Sequence, residues 1–148
     1  MENNLSLILG GGLLALALVL GVVFKLLAGR GHEVSTSEKI DLAKLKAVKN
    51  GVPVTRFGKQ ATLLQFSTEY CGQCPGVRRQ LAQMEYRNGG LLHLDVDITD
   101  RLDLASHFSI SQTPTVFVLD QNGEIRFRVS GIPKPGAIQQ ELERLGAI

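Results

Sequence analysis

The chain has 148 residues, 16 basic against 14 acidic side chains, a formal net charge of +2 and two cysteines. That length holds one ordinary domain plus a small additional segment. The basic surplus sits in one short stretch outside the region that reads as a folded domain, which excludes a nucleic-acid-binding domain, whose own face would have to be basic.

Leu5 to Phe24 is a run of 20 residues without charge, rich in Leu, Gly, Val and Ala. A helix of that length spans roughly 30 Å, the thickness of a bilayer's hydrocarbon core. Residues 1–28 are therefore expected to be a single-pass transmembrane anchor. A cleaved signal peptide is the competing reading. No Lys or Arg precedes the run, it exceeds the usual ~7–15-residue apolar core of such peptides, and no convincing small-x-small site follows Phe24. Gly11/Ala15 and Ala17/Gly21 are small-xxx-small pairs, a weak signal for packing against another helix.

Residues 25–60 carry eight basic side chains against Glu33, Glu38 and Asp41, a net of +5, whereas residues 61–148 carry eight against ten acids, a net of −2. The basic stretch suits contact with anionic lipid headgroups or a solvated linker. Lys25, Arg30 and Lys39 all follow the apolar run. The positive-inside rule then places the domain in the cytoplasm, with an extracytoplasmic domain as the alternative. Two cysteines do not decide the compartment.

Residues 29–59 read as a basic juxtamembrane linker, opening on a polar exit with Gly29, Arg30 and Gly31. It contains a helix over 37–49, with Ile40, Leu42, Leu45 and Val48 as a loose apolar stripe, Thr36 or Ser37 as cap and Asn50-Gly51 as terminator. Val52–Phe57 suits a short edge strand, since Pro53 disfavours a central one.

Residues 60–148 read as the domain proper. Thr62–Phe66 is strand-like, Cys71 to about Tyr86 helical, and Leu91–Val96 a second strand. Asp100 suits the N-cap of a short helix through His107. Thr115–Leu119 and Ile125–Val129 are strands joined through Asn122-Gly123, a strong hairpin signal. Pro135 suits the start of a last helix with Ile138, Leu142 and Leu145 on one face. The order β-α-β-α-β-β-α predicts a mixed sheet with helices on both faces: the first two strands parallel, the last two antiparallel.

The two cysteines stand as Cys71-Gly72-Gln73-Cys74, after an apolar strand and before a helix in which Val77, Leu81 and Met84 recur at helical spacing. That strand, turn and helix together point to thiol–disulfide chemistry. With Thr113-Pro114-Thr115 about forty residues on, the Asn122-Gly123 hairpin, Gly131 and the closing amphipathic helix, residues 60–147 resemble the thioredoxin family.

The resemblance implies a thioredoxin-like α/β fold behind one transmembrane helix. It implies a protein-disulfide oxidoreductase that needs no bound cofactor and draws electrons from a redox partner protein. Cys71 is then the nucleophile and Cys74 the buried resolving thiol. At a helix N-terminus the positive end of the helix dipole favours the Cys71 thiolate. The family's proline at the position of Pro114 is cis, and Thr113 would pair with a bound peptide strand to strand. Tyr70 stands where the family usually has Trp, as a substrate contact, and Gln73 where reductive members have Pro. The family's buried carboxylate, six residues before the first cysteine, is here Gln65, and its neighbouring lysine aligns with His93. Gln65 cannot titrate, so proton transfer at Cys74 would run through His93 or water.

Two rivals remain. The C-x-x-C pair could form half of a zinc site or handle copper, although His32, His93 and His107 show no ligand spacing. No His follows Cys74, against haem attachment. A non-catalytic scaffold that assembles partners on a thioredoxin-like sheet is the other.

Overall fold

The structure is a computed structural model, and it describes residues 2–27, 31–34 and 38–148. Helix α1 (Glu2–Leu27) is followed by strand β1 (Gly31–Glu33), a single helical turn α2 (Leu42–Leu45), and a small hairpin of β2 (Val48–Lys49) and β3 (Val52–Pro53). Then come β4 (Ala61–Ser67), α3 (Cys74–Arg87), β5 (Leu91–Asp97), α4 (Leu102–His107), β6 (Thr115–Asp120), β7 (Ile125–Ser130) and α5 (Ala137–Arg144). Within α1, residues Leu7–Leu27 are apolar and long enough to cross a membrane, a property that a signal sequence shares.

Five strands form one mixed sheet in the order β1-β7-β6-β4-β5. All seven residues of β4 are buried, as suits a central strand covered on both faces. The helix α3 returns the chain to a parallel pairing of β4 with β5, whereas β6 runs antiparallel to both β4 and β7. The β6–β7 turn closes on Asp120, whose carboxylate accepts from the backbone of Asn122 and Glu124. Gly123 takes φ +81° there, the left-handed conformation that glycine adopts without cost.

Alternation along the strands divides the core in two. On one face Leu64, Phe66, Phe117 and Leu119 pack with Leu104 and Phe108 and with Ile40, Leu42, Leu45 and Ala47. Three phenylalanines stack there, with ring centroids 5.2 to 5.8 Å apart. On the other face Leu63, Val116 and Val118 meet Val77 and Leu81 of α3 and Ile138 and Leu142 of α5.

The segment expected as a linker contributes to this domain. β1 pairs antiparallel with β7, Gly31 opposite Val129. A Cβ at Gly31 would overlap the Phe127 ring, so the close approach of this strand requires glycine. The Ile40 amide donates to Gly123 O at 2.9 Å, and the Ile125 amide to Glu38 O at 3.0 Å. The helix expected over 37–49 is only Leu42–Leu45, because Lys46 turns left-handed at φ 51° and Asn50-Gly51 folds the next residues into the hairpin. Asp41 caps that turn, accepting from the Ala43 amide at 2.9 Å. The expected caps Thr36 and Ser37, and Gly29 and Arg30, lie outside the described residues.

Three helix starts differ from expectation. Helix α3 begins at Cys74 rather than Cys71, because Cys71 O already accepts from the Cys74 amide in a preceding turn, at 3.3 Å. Helix α4 is flanked by Arg101, with no side-chain cap from Asp100. Helix α5 begins at Ala137 after Gly136, which is left-handed at φ 80°.

The outer strand β5 is blocked at His93, near its middle. The His93 amide donates to Glu85 Oε1 at 3.1 Å, and Lys49 Nζ donates to His93 O at 2.9 Å while forming an ion pair with Glu85.

Candidate active site

Strand β4 ends at Ser67 and β6 begins at Thr115, and the two are antiparallel, with Phe66 opposite Thr115. The loop after β4 and the loop before β6 therefore emerge at the same end of the sheet. The first carries Tyr70 and Cys71, the second Thr113 and Pro114. Their hydroxyls meet, Thr68 Oγ1 lying 3.2 Å from Thr113 Oγ1. Thr68 was not singled out by sequence reasoning; its only signal is a polar side chain three residues before Cys71.

Cys71 and Cys74 are joined in a disulfide, their Cα atoms 5.5 Å apart. Cys71 is half-buried in the turn and Cys74, the first residue of α3, is buried. The polypeptide turns because the Cys71 amide donates to Thr68 O at 3.2 Å before Cys71 O accepts from Cys74. Pro75 follows in the first helical turn, where a missing N–H leaves no bond unmade. Gly76 and Val77 both donate to Gln73 O, starting the helical ladder.

The Thr113–Pro114 peptide is cis. Pro114 is buried, and its carbonyl accepts from the Gly131 amide at 2.8 Å, tying this turn to the end of β7. Thr115 Oγ1 donates to Gln112 O at 2.8 Å and fixes the other side of the turn. Tyr70 is 84% exposed beside the disulfide. A hydrogen bond with Glu69 raises its phenol above the ordinary value.

Gln65 lies on the α3 face of β4, fully buried. Its Nε2 donates to Cys74 O at 3.1 Å. A backbone carbonyl can only accept, so that bond fixes the orientation of the amide and leaves Oε1 as the buried acceptor. Oε1 has no partner.

His93 shares this face but stands opposite Leu63 in the register; the residue opposite Gln65 is Asp95. Among the described residues no hydrogen bond joins the His93 side chain to Gln65 or Cys74, and its buried Nε2 is unpartnered. Burial pushes the imidazole down to about 4, against weaker opposing pull from Asp95 and Glu85, so the ring is neutral near pH 7. Asp95 is itself engaged: Ser67 Oγ donates to its Oδ1 at 2.7 Å, and Arg78 holds Oδ2. Among the described residues no three His, Cys, Asp or Glu side chains stand together as a metal-binding group. His107 is exposed on α4, near Glu38.

The thioredoxin family model matches residues 43–144. Thioredoxin H4-1 of Oryza sativa subsp. japonica is 29% identical over 107 residues, covering 72% of this chain and 75% of its own. Among solved structures, the thioredoxin of Fasciola hepatica superposes with a TM-score of 0.50 at 17% identity, over 59% of this chain and 82% of that one. Oxidized mitochondrial thioredoxin 3 from Saccharomyces cerevisiae gives 0.50 at 16% identity, over 58% and 79%. At those identities the structures show a common fold. The family match spans more than half of the chain and includes both bonded cysteines. The chain belongs to the thioredoxin family, and its Cys71–Cys74 pair makes it a thiol–disulfide oxidoreductase.

Proposed function

We propose that this protein exchanges its Cys71–Cys74 couple with protein disulfides from a membrane anchor, with Cys71 as the attacking sulfur. The observation that carries this reading is the asymmetry of the pair: Cys71 half-exposed beside the Thr113–Pro114 turn, Cys74 buried at the start of α3. In the reducing direction the Cys71 thiolate attacks one sulfur of a substrate disulfide, and the other leaves as a thiolate that takes up a proton. Cys74 loses its proton, attacks Cys71 and expels the second substrate thiolate. The substrate gains two electrons and two protons, and the protein is left with the disulfide. A dithiol redox partner restores it by the reverse exchange. Tyr70 and Ile132, both exposed, would flank the substrate, and the Thr113 backbone would hold it as an added strand.

Reduction of insulin disulfides tests the assignment. Cys71→Ser should abolish it, and Cys74→Ser should accumulate substrates as mixed disulfides. Full activity of Cys71→Ser would overturn the nucleophile role.

The anchor is Leu7–Leu27, and the basic residues after it favour a cytoplasmic domain. In intact, pre-reduced cells an impermeant maleimide should leave Cys71 unmodified; rapid labelling would place the domain outside. Extraction of the chain by carbonate alone would refute anchoring.

A further inference from the structure

Gln65 presents a puzzle that the disulfide state leaves unsolved. Its side chain is fully buried, its amide nitrogen is committed to Cys74 O at 3.1 Å, and its amide oxygen has no donor. A buried acceptor left unmade is costly, and native structures rarely keep one without a reason. Among the described residues no group donates to it: the imidazole of His93, on the same face, stands opposite Leu63 and forms no hydrogen bond with Gln65. Asp95, opposite Gln65 in the register, accepts from Ser67 and Arg78. Cys74 is 1% exposed, and its sulfur carries no hydrogen while it is bonded to Cys71.

We infer that Gln65 is a redox-state sensor for Cys74: its Oε1 accepts a hydrogen bond from the Cys74 thiol, a bond that exists only after the disulfide is reduced. The inference rests on the reading of Cys74 as the buried member of an exchanging pair. When a dithiol delivers two electrons and two protons, the Cys71–Cys74 bond breaks, the donor becomes a disulfide, and both sulfurs become thiols. The Cys74 proton then finds the vacant acceptor. The Nε2 bond to Cys74 O involves only the backbone and is common to both states, so it cancels. The Oε1 bond does not cancel, and it biases the couple toward the dithiol. Gln65 acts as a positioning residue: it sets where the buried proton resides and cannot itself take one up.

The test uses the full chain in detergent micelles. Equilibration in glutathione buffers should show Gln65→Leu shifted about tenfold toward the disulfide relative to wild type, the order expected when one buried acceptor loses its donor. The chain has only two cysteines, so Cys71→Ser leaves Cys74 as its one thiol. Its S–H stretching band should lie at lower frequency in Cys71→Ser than in Cys71→Ser/Gln65→Leu, and Gln65→Glu, which keeps an acceptor, should retain the low band. A structural role of Gln65 would not move that band. If Gln65→Leu fails to fold, Gln65→Met, of similar length, carries both measurements. An equilibrium and a band that both ignore the substitution overturn the inference while leaving the exchange chemistry intact. A wild-type pair that never interconverts would instead remove the reading on which it rests.

Discussion

The two faces of the central sheet are made from the same strands and do different work. On one, Leu64 and Phe66 of β4 meet Phe108, Phe117 and the residues 40–47 in a core whose buried polar side chains on β4 and β6 are the two hydroxyls of Thr62 and Thr115. On the other, one residue out of step, Leu63 is followed by Gln65, and the layer beneath α3 holds Cys74, Gln65 and His93. A strand's period of two allows this division: one parity is given to cohesion and the other to chemistry. The apolar face holds β4 and β6 in register, and that register brings the cysteine loop and the Thr113–Pro114 turn to one end.

The sharpest way to break the comparison is on the chemical face. Cys71→Ser should eliminate disulfide reduction entirely while leaving the thermal midpoint of the dithiol protein within a few degrees. A loss of fold in that variant would show that the turn serves cohesion too. On the opposite face, Phe117→Ala should cost about 3–5 kcal/mol by urea denaturation, from lost burial and a cavity among three rings. Its glutathione equilibrium should match wild type, and a displaced equilibrium would show the faces to be coupled.

His93 gives a smaller, pH-dependent effect. Its folded value of about 4 lies below the ordinary imidazole value of 6.5, so the unfolded chain binds its proton first as the pH falls. The stability associated with the neutral ring is complete above pH 6.5 and is lost down to about pH 4, a change on the order of 3 kcal/mol. Urea midpoints across that window should fall in wild type and fall less in His93→Leu; parallel curves would show that the burial of this ring has no energetic consequence. The smallest change is at the far margin of the apolar face. Asp41→Ala should cost about 1 kcal/mol through loss of the cap on Ala43, readable as a modest shift in midpoint with unaltered activity.

Much of this architecture is legible in the sequence where local and tertiary signals agree. The strands from Ala61 to Ser130 announce themselves by β-branched and apolar runs, and the Asn122-Gly123 turn fixes their hairpin. The cysteine motif marks the site through spacing and residue type, whereas Thr113-Pro114 enters it only through the resemblance to the family. Residues 31–59 are harder. β1 is three residues long and exists only because β7 offers it an edge, and eight basic residues over 25–60 obscure the spacing of Ile40, Leu42, Leu45 and Ala47. A helix over 37–49 fits the pattern, yet a left-handed Lys46 ends it after one turn. His93, expected from the resemblance as a proton relay, stands opposite Leu63 and forms no side-chain hydrogen bond with Gln65 or Cys74 among the described residues. The bond from Gln65 to Cys74 O joins residues on different elements and leaves no mark on either alone.

Plugging the His93 position of β5 with Lys49 and Glu85 also matters when copies of the chain crowd together. A bare sheet border invites a neighbour to zip on, and long, flat borders seed fibres. Here the amide and carbonyl of His93, which a neighbour would seize, are already held by two oppositely charged side chains from the same molecule. A neighbour could not zip along β5 past this residue without first breaking both of those bonds.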